Sequence, residues 1–183
     1  MKKVLLPLAE GCEELEAVTV ADLLRRAGVQ VTVAGLRAGV VTASRGIMLQ
    51  PDMTLDEALQ HDYDMIVLPG GGPGSERLAA DARIRELLLS MADKDRYIAA
   101  ICAAPKVLFQ AGLLDGKKAS CYPGVLQPAD FPGLDTTQAV IQDGKVITSR
   151  GPGTAIDFSL QLIECLLGTD KRNAVEAGLV RSG

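Results

Sequence analysis

Residues 4–33 of the chain read VLLPLAEGCEELEAVTVADLLRRAGVQVTV, and three patterns follow one another within this stretch. A short apolar run spans residues 4–9, helical spacing of apolar residues spans 13–27 and closes at Gly28, and residues 29–33 alternate with period two. These patterns predict a strand, a helix and a second strand. Such a unit is typical of a parallel sheet, because a parallel strand must return through a crossover connection.

The same alternation continues along the chain. Residues 63–68 form a strand of the fully buried type, residues 69–74 a glycine-rich turn, and Ser75 is expected to cap a helix that runs through Met91. Residues 97–101 predict another buried strand. Further predicted elements are a hairpin in 39–47, a short helix in 55–59, an irregular stretch in 112–132, a hairpin turning at Asp143-Gly144 and a helix in 154–167 ended by Gly168. The predicted fold class is therefore α/β, with a mostly parallel sheet covered by helices on both faces.

Composition narrows the range of functions. The 183 residues fit a single domain spanning 1–183, and 48% apolar with 23% charged residues is the globular average. A formal net charge of −4 gives no positive field for a phosphate backbone, so nucleic acid is not an expected partner. The apolar runs are shorter than the ~18 residues of a membrane span.

The start of the chain imitates a secretory signal only in part. Lys2 and Lys3 precede an apolar run, but Pro7 interrupts it and Glu10 follows soon after. We therefore expect a cytoplasmic protein that does not bind membranes. With one histidine, His61, and four widely spaced cysteines, we expect no metal site and free thiols. His61 is predicted to lie on the surface.

Cys102 directly follows the predicted strand 97–101 and precedes a helix that opens at Ala103-Ala104-Pro105. This is the context of a nucleophile elbow, and the small side chains of Ala100 and Ala104 satisfy its steric requirement. Unpaired N–H groups at a helix start lower a thiol pKa, so we expect a reactive thiolate. The alternative is an inert buried cysteine.

Glu16 shares the apolar face of the first predicted helix with Val20, Leu24 and Ala27. A carboxyl group held against that face has a raised pKa and can exchange protons near neutral pH. The alternative is that the glutamates of this segment only stabilise the first helical turn while their side chains reach solvent. We prefer that second interpretation for Glu13 and Glu14, and for Glu16 both remain open.

The run Gly70-Gly71-Gly72 lacks the spacing and the Lys-Ser/Thr ending of a phosphate-binding loop. Its backbone N–H groups could instead approach the neighbouring sulfur and stabilise an oxyanion. A plain turn is the alternative.

Four motifs together carry a family resemblance. They are Gly11-Cys12-Glu13-Glu14-Leu15-Glu16, Leu68-Pro69-Gly70-Gly71, Ala99-Ala100-Ile101-Cys102-Ala103-Ala104-Pro105 and Thr148-Ser149-Arg150-Gly151-Pro152-Gly153-Thr154. The chain resembles the ThiJ/PfpI superfamily over essentially its whole length, and within it the branch of the human Parkinson disease protein deglycase.

The resemblance implies a flavodoxin-like sandwich, a homodimer and an oxidation-prone Cys102 whose thiolate accepts a hydrogen bond from protonated Glu16. It also implies that the amides of Gly70, Gly71 and Ala103 line an anion pocket, with Arg45 near the rim. Many relatives carry a histidine where this chain has Tyr122. Since no imidazole can then assist the thiol, we do not expect peptidase activity. Tyr122 either contacts substrate or merely packs.

Two functions remain from different classes. The first is a cofactor-independent glyoxalase or deglycase, in which Cys102 and Glu16 act on small dicarbonyls such as methylglyoxal or on their adducts. The second is a redox-responsive protective protein, in which Cys102 oxidises to a sulfinate without significant turnover. Cys12, or Cys121, either resolves oxidised Cys102 or packs as a small apolar side chain.

Overall fold

In the computed structural model, which describes residues 1–181, nine strands, seven α-helices and one short 3-10 helix (Pro152–Thr154) follow one another along the chain. The strands are β1 (Lys3–Leu8), β2 (Gln30–Gly35), β3 (Val41–Thr42), β4 (Met48–Leu49), β5 (Met53–Thr54), β6 (Met65–Leu68), β7 (Tyr97–Ile101), β8 (Val140–Asp143) and β9 (Val146–Ser149). The helices are α1 (Glu14–Arg26), α2 (Leu55–Ala58), α3 (Gly72–Ala80), α4 (Ala82–Asp93), α5 (Pro105–Gln110), α6 (Ala155–Leu167) and α7 (Thr169–Gly178). None of these helices is long and apolar enough to cross a membrane.

Seven strands form one sheet in the order β5-β2-β1-β6-β7-β9-β8, and β3 and β4 form a separate antiparallel hairpin. All neighbours in the large sheet are parallel except β8 and β9, which pair antiparallel. The predicted mostly parallel sheet and both predicted hairpins are confirmed. The strand order reverses between β1 and β6, and ligands of such sheets bind at the carboxyl ends of the strands beside the reversal.

Helices cover both faces of the sheet, as predicted. Alternate residues of β1 point to opposite faces, so Leu6 joins the core under α1 and α6 while Leu5 joins the core under α3, α4 and α5. Phe158 of α6 and Leu88 of α4 are fully buried in the two cores. This double burial explains why the strands lack a polar face.

The single helix predicted from Ser75 to Met91 is wrong, because Asp81 divides this segment into α3 and α4. The Asp81 side chain accepts the backbone N–H of Arg83 at 3.0 Å and caps α4. Ser75 lies inside α3 and caps nothing, since α3 begins after Gly71, and its Oγ is buried without a hydrogen-bond partner among residues 1–181. The apolar periodicity continued across the break and concealed it.

The last helix, α7, was not predicted. It follows Gly168, whose φ of 88° turns the chain after α6. Val175 is its one buried residue among the described part of the chain. A helix that buries so little shows little apolar periodicity in its sequence.

Candidate active site

Cys102 occupies the turn between β7 and α5 with a φ of 64°, a left-handed conformation that side chains other than glycine seldom adopt. Two hydrogen bonds hold the strained residue in place: its N–H donates to the carbonyl of Ser149 at 3.0 Å, and its carbonyl accepts the N–H of Tyr122 at 2.8 Å. Such strain costs about 1–3 kcal/mol and persists only where surrounding contacts impose it. The cysteine therefore has the backbone geometry of the predicted nucleophile elbow.

The Glu16 side chain is completely buried on the sheet-facing side of α1. Its Oε2 accepts the backbone N–H of Gly70 at 2.8 Å, whereas Oε1 has no hydrogen-bond partner of good geometry within residues 1–181. Burial raises the pKa of Glu16 to about 7, against the opposing effect of the Gly70 N–H and the Cys102 thiol. The structure therefore confirms that the Glu16 side chain is buried on the apolar face of α1 and does not reach solvent.

Gly70 lies against both Cys102 and Glu16 and must be a glycine for steric reasons. A Cβ atom at this position would lie 2.5 Å from Cβ of Cys102, 3.0 Å from its Sγ and 2.6 Å from Oε2 of Glu16. The sulfur and the carboxyl group are thus brought together across a residue without a side chain. The Gly70 N–H donates to the Glu16 carboxyl group, and the Gly70 carbonyl accepts the N–H of Glu13. These two hydrogen bonds fix Gly70 and the start of α1 relative to each other.

The expectation of a lowered thiol pKa is wrong for the site with Glu16 ionised. Burial and then the charge of Glu16 raise the pKa of Cys102 to about 12, and hydrogen bonds from the N–H groups of Gly71 and Ala103 oppose this only in part. Since α5 has only six residues, its dipole adds little to those amides. A thiolate at Cys102 therefore depends on where the proton of the pair resides.

A cleft of about 730 Å³ opens above the sulfur. Gly71, Cys102 and Ala103 form its floor, while Arg45 and Tyr122 belong to its walls. Glu16 and Gly70 are absent from the lining and lie beneath it. Glu10 and Glu13 also line the cleft, as do Thr42, Arg77 and Val125, for which the sequence gave no indication.

Glu14 has a different role from the predicted one, because its side chain is only 5% exposed and anchors the β3–β4 hairpin. Ser44 Oγ lies 2.8 Å from its Oε2, and the N–H of Arg45 donates to its Oε1 at 2.8 Å. Burial acts to raise the pKa of Glu14, but these donors and backbone N–H groups lower it. The contacts hold Arg45 beside the cleft. Because the covering residues are some 30 positions away, the helical pattern gave no sign of them.

The profile of the DJ-1/PfpI family matches residues 2–165 of the chain. The chain belongs to this family. The resemblance drawn from the four motifs is confirmed, and with it the flavodoxin-like α/β fold.

Three relatives place the chain within the family. Protein dj-1beta of Drosophila melanogaster is 42% identical over 181 residues, covering 98% of this chain and 97% of that protein. Its crystal structure superposes with a TM-score of 0.94 at 40% identity and covers 100% of this chain and 99% of the other. The glutathione-independent glyoxalase DJR-1.2 of Caenorhabditis elegans is 37% identical over 175 residues, or 94% of this chain and 91% of that protein. The structure of oxidized Toxoplasma gondii DJ-1 superposes with a TM-score of 0.93 at 38% identity and covers 100% of both chains.

The other cysteines and the histidine lie apart from the cleft lining. Cys12 is fully buried, and burial followed by the charge of Glu14 raises its pKa to about 12. Cys121 is 1% exposed, and His61 is exposed before the amino end of β6, as predicted. Within residues 1–181 no group of three His, Cys, Asp or Glu side chains is arranged to hold a metal ion.

Proposed function

We propose that the protein is a cofactor-independent glyoxalase that converts small 2-oxoaldehydes such as methylglyoxal to the 2-hydroxy acid. The observation that carries the proposal is the pairing of Cys102, on the floor of the cleft, with Glu16 directly beneath that floor. A relative named as a glutathione-independent glyoxalase supports the same reaction class.

In the first step the sulfur of Cys102 attacks the aldehyde carbon while the Glu16 carboxylate accepts the thiol proton. A pKa of about 7 means that much of Glu16 is ionised at neutral pH and still basic enough to take a proton. Transfer of the proton also removes the charge that raises the thiol pKa. The resulting hemithioacetal oxyanion accepts hydrogen bonds from the N–H groups of Gly71 and Ala103.

In the second step a proton moves between adjacent carbons. The oxyanion takes up the proton held by Glu16. C1 is bonded to the sulfur that lies beside the Glu16 carboxylate, so the carboxylate removes the hydrogen from C1 from beneath the cleft floor and leaves an enediolate. Glu16 then delivers this proton to C2, while the hydroxyl proton on the C1 oxygen passes to the C2 oxygen. The product is a 2-hydroxyacyl thioester on Cys102. Water hydrolyses this thioester, which releases the hydroxy acid and restores the thiol. The sum is dicarbonyl plus water giving hydroxy acid, so no electrons are exchanged with another molecule.

Lactate release from methylglyoxal tests the proposal with wild type, Cys102→Ser and Glu16→Ala. We expect each substitution to lower kcat/KM by at least about 100-fold, as for the loss of a nucleophile or a general base. Cys165→Ser is the matched control, because that thiol is partly exposed and outside the cleft lining. Equal turnover in all four proteins would refute the mechanism. The hemithioaminal formed from methylglyoxal and an amine, assayed in parallel, shows whether such adducts are also substrates.

A second candidate function is redox protection through Cys102. The similar Toxoplasma gondii DJ-1, whose structure was solved in an oxidized form, supports this candidate. Two equivalents of peroxide convert the thiol to a sulfinate and release two water molecules. Protonated Glu16 can then donate a hydrogen bond to the sulfinate. Mass spectrometry after graded peroxide would support this role if Cys102 gains two oxygens before the partly exposed Cys165 does, with negligible dicarbonyl turnover.

The assembly we propose is a homodimer formed through α1 and the β3–β4 hairpin. Four large apolar side chains are at least half exposed there: Leu15, Val18, Ile47 and Met48. Leu15 and Val18 are three residues apart and share a helix face, and the hairpin is fixed to α1 through Glu14. Light scattering should give twice the chain mass for wild type and one chain mass for Val18→Glu. A monomeric wild type would refute the dimer.

A further inference from the structure

A second cavity, of about 500 Å³, lies at the carboxyl ends of β1 and β2 beside the junction of α3 and α4. Five charged side chains line it: Glu10, Arg37, Arg77, Asp81 and Arg83. Cys102 and its cleft floor are not part of the lining. The cavity adjoins the place where the strand order reverses, which is where open α/β sheets commonly bind ligands.

Arg83 uses four of its five N–H donors in hydrogen bonds within residues 1–181 and forms part of the cavity wall. It donates to both oxygens of Asp81 and, at 2.7 Å, to Asp56, and its Nη2 also reaches the carbonyl of Leu36 at 3.0 Å. These contacts raise the pKa of Arg83, so the side chain stays charged. Because both carboxylate oxygens of Asp81 accept hydrogen bonds from Arg83, Asp81 does not pair with Arg37 or Arg77.

Arg37 and Arg77 retain hydrogen-bond donors. Within residues 1–181, Arg37 forms no side-chain hydrogen bond or ion pair, although it is exposed at the cavity. Arg77 uses only Nη1, which donates to the carbonyls of Glu10 and Pro73 at 2.9 and 3.2 Å. The carboxylate of Glu10 accepts the N–H of Thr42 at 2.9 Å and leaves both guanidinium groups unpaired.

The remaining wall is apolar. Leu8, Leu36, Val40 and Ala80 contribute to it, and Val40 is 48% exposed. A cavity of this volume lies within the usual range for small organic ligands, which combine apolar contact with a few fixed polar groups. The two planar guanidinium groups match the geometry of carboxylate and phosphate oxygens.

We propose that this cavity binds a small organic oxyanion, with Arg37 and Arg77 on the anionic group and the apolar wall against the body of the ligand. A carboxylate and a phosphomonoester present the same chemistry to these arginines. The cavity adjoins the Cys102 cleft, because Glu10 and Arg77 line both, but it contains neither Cys102 nor the amides of Gly71 and Ala103. The proposal therefore stands or falls independently of the glyoxalase reaction.

Calorimetric titration with phenyl phosphate and with benzoate tests the proposal on Cys165→Ser protein, before and after alkylation of Cys102 with iodoacetamide, since Cys165 is the other partly exposed thiol. Alkylation fills the cleft floor and leaves the second cavity open. We expect saturable binding that weakens with added salt and is weakened about tenfold or more by Arg37→Gln. The ligand bound more tightly identifies the preferred anion.

Arg85→Gln is the matched control, because Arg85 is exposed on α4, forms no side-chain hydrogen bond among the described residues and lies outside this cavity. The affinity of Arg85→Gln for phenyl phosphate and benzoate should equal that of the wild type. Three results would each overturn the proposal: no saturable binding of either compound, binding that disappears on alkylation of Cys102, or equal weakening by Arg37→Gln and Arg85→Gln. Unchanged melting temperatures of both variants would show that any difference comes from the anion site.

Discussion

Glu14 and Glu16 are two buried carboxyl groups in the first turn of one helix, yet the protein shifts their pKa values in opposite directions. Ser44, Arg45 and further N–H groups donate to Glu14 and together outweigh its desolvation, so its pKa is lowered. Desolvation dominates at Glu16, where the Gly70 N–H and the Cys102 thiol offset it only in part and the pKa rises to about 7. The balance between desolvation and hydrogen-bond donors therefore decides the sign of each shift. Glu14 is a permanent anion that fixes a hairpin, and Glu16 can gain and lose a proton near neutral pH.

The largest expected effect comes from neutralising each acid in turn. Glu16→Gln should lower glyoxalase kcat/KM by about 10²–10⁴-fold, because the amide cannot accept the thiol proton. Glu14→Gln should lower it far less, since that side chain only positions the hairpin. Initial rates of lactate formation at pH 7.5 measure both.

The wild-type pH profile provides the control for that experiment. Below pH about 7 the Glu16 carboxylate is protonated, so kcat/KM should fall about tenfold per pH unit. Glu14→Gln should keep this acidic limb of the pH profile, the fall of kcat/KM below pH about 7, and Glu16→Gln should lose it. Equal losses of activity in the two variants, with the limb retained in both, would contradict the assignment of the base.

The elbow and the acid were predictable from sequence because both follow from local patterns. A strand, a cysteine and a proline-led helix define the turn at Cys102, and the helical wheel places Glu16 on the apolar face. The burial of Glu14 was not predictable, since a hairpin distant in sequence covers it. The high pKa of Cys102 with Glu16 ionised was not predictable for the same reason: it depends on burial and on the charge of a residue from another segment.

The second effect is on the free energy of unfolding. Its dependence on pH should have opposite signs for Glu16 and Glu14. Glu16 has a folded pKa near 7 against an ordinary value of 4.5, so its ionisation opposes folding as pH rises between these values. From pH 5 to pH 8 the wild type should lose about 2–3 kcal/mol of unfolding free energy relative to Glu16→Gln.

Glu14 should behave in the opposite way. Its pKa is lowered on folding, so its contribution to stability is present above pH 4.5 and is lost as pH falls further. Glu14→Gln should therefore be less stable than wild type at pH 8, with a difference that shrinks in acid. Urea denaturation of the three proteins at several pH values measures both slopes. Parallel curves for Glu14→Gln and Glu16→Gln would contradict the opposite shifts.

A third and smaller effect comes from adding one methyl group between the acid and the sulfur. Gly70→Ala places that group within 2.6 Å of Cys102 Cβ and Glu16 Oε2, and overpacking of this kind costs about 1–3 kcal/mol. Glyoxalase activity should fall with it, because the two reacting groups are pushed apart. Gly72→Ala is the control, since no atom lies within 4 Å of its added Cβ. Equal stability of the two variants in urea would contradict the close approach at Gly70.

The smallest effect should come from the hairpin anchor on the Glu14 side. Ser44→Ala removes the hydroxyl that lies 2.9 Å from Glu13 Oε2 and 2.8 Å from Glu14 Oε2, so the free energy of unfolding should fall by about 1 kcal/mol. The N–H of Arg45 still donates to Glu14, which should keep the hairpin attached and limit the change to KM. Ser90→Ala on α4, whose hydroxyl has no hydrogen bond among the described residues, controls for the loss of a hydroxyl group. A drop in kcat as large as that of Glu16→Gln would mean that the hairpin, and not the pairing of Glu16 with Cys102, governs the chemistry.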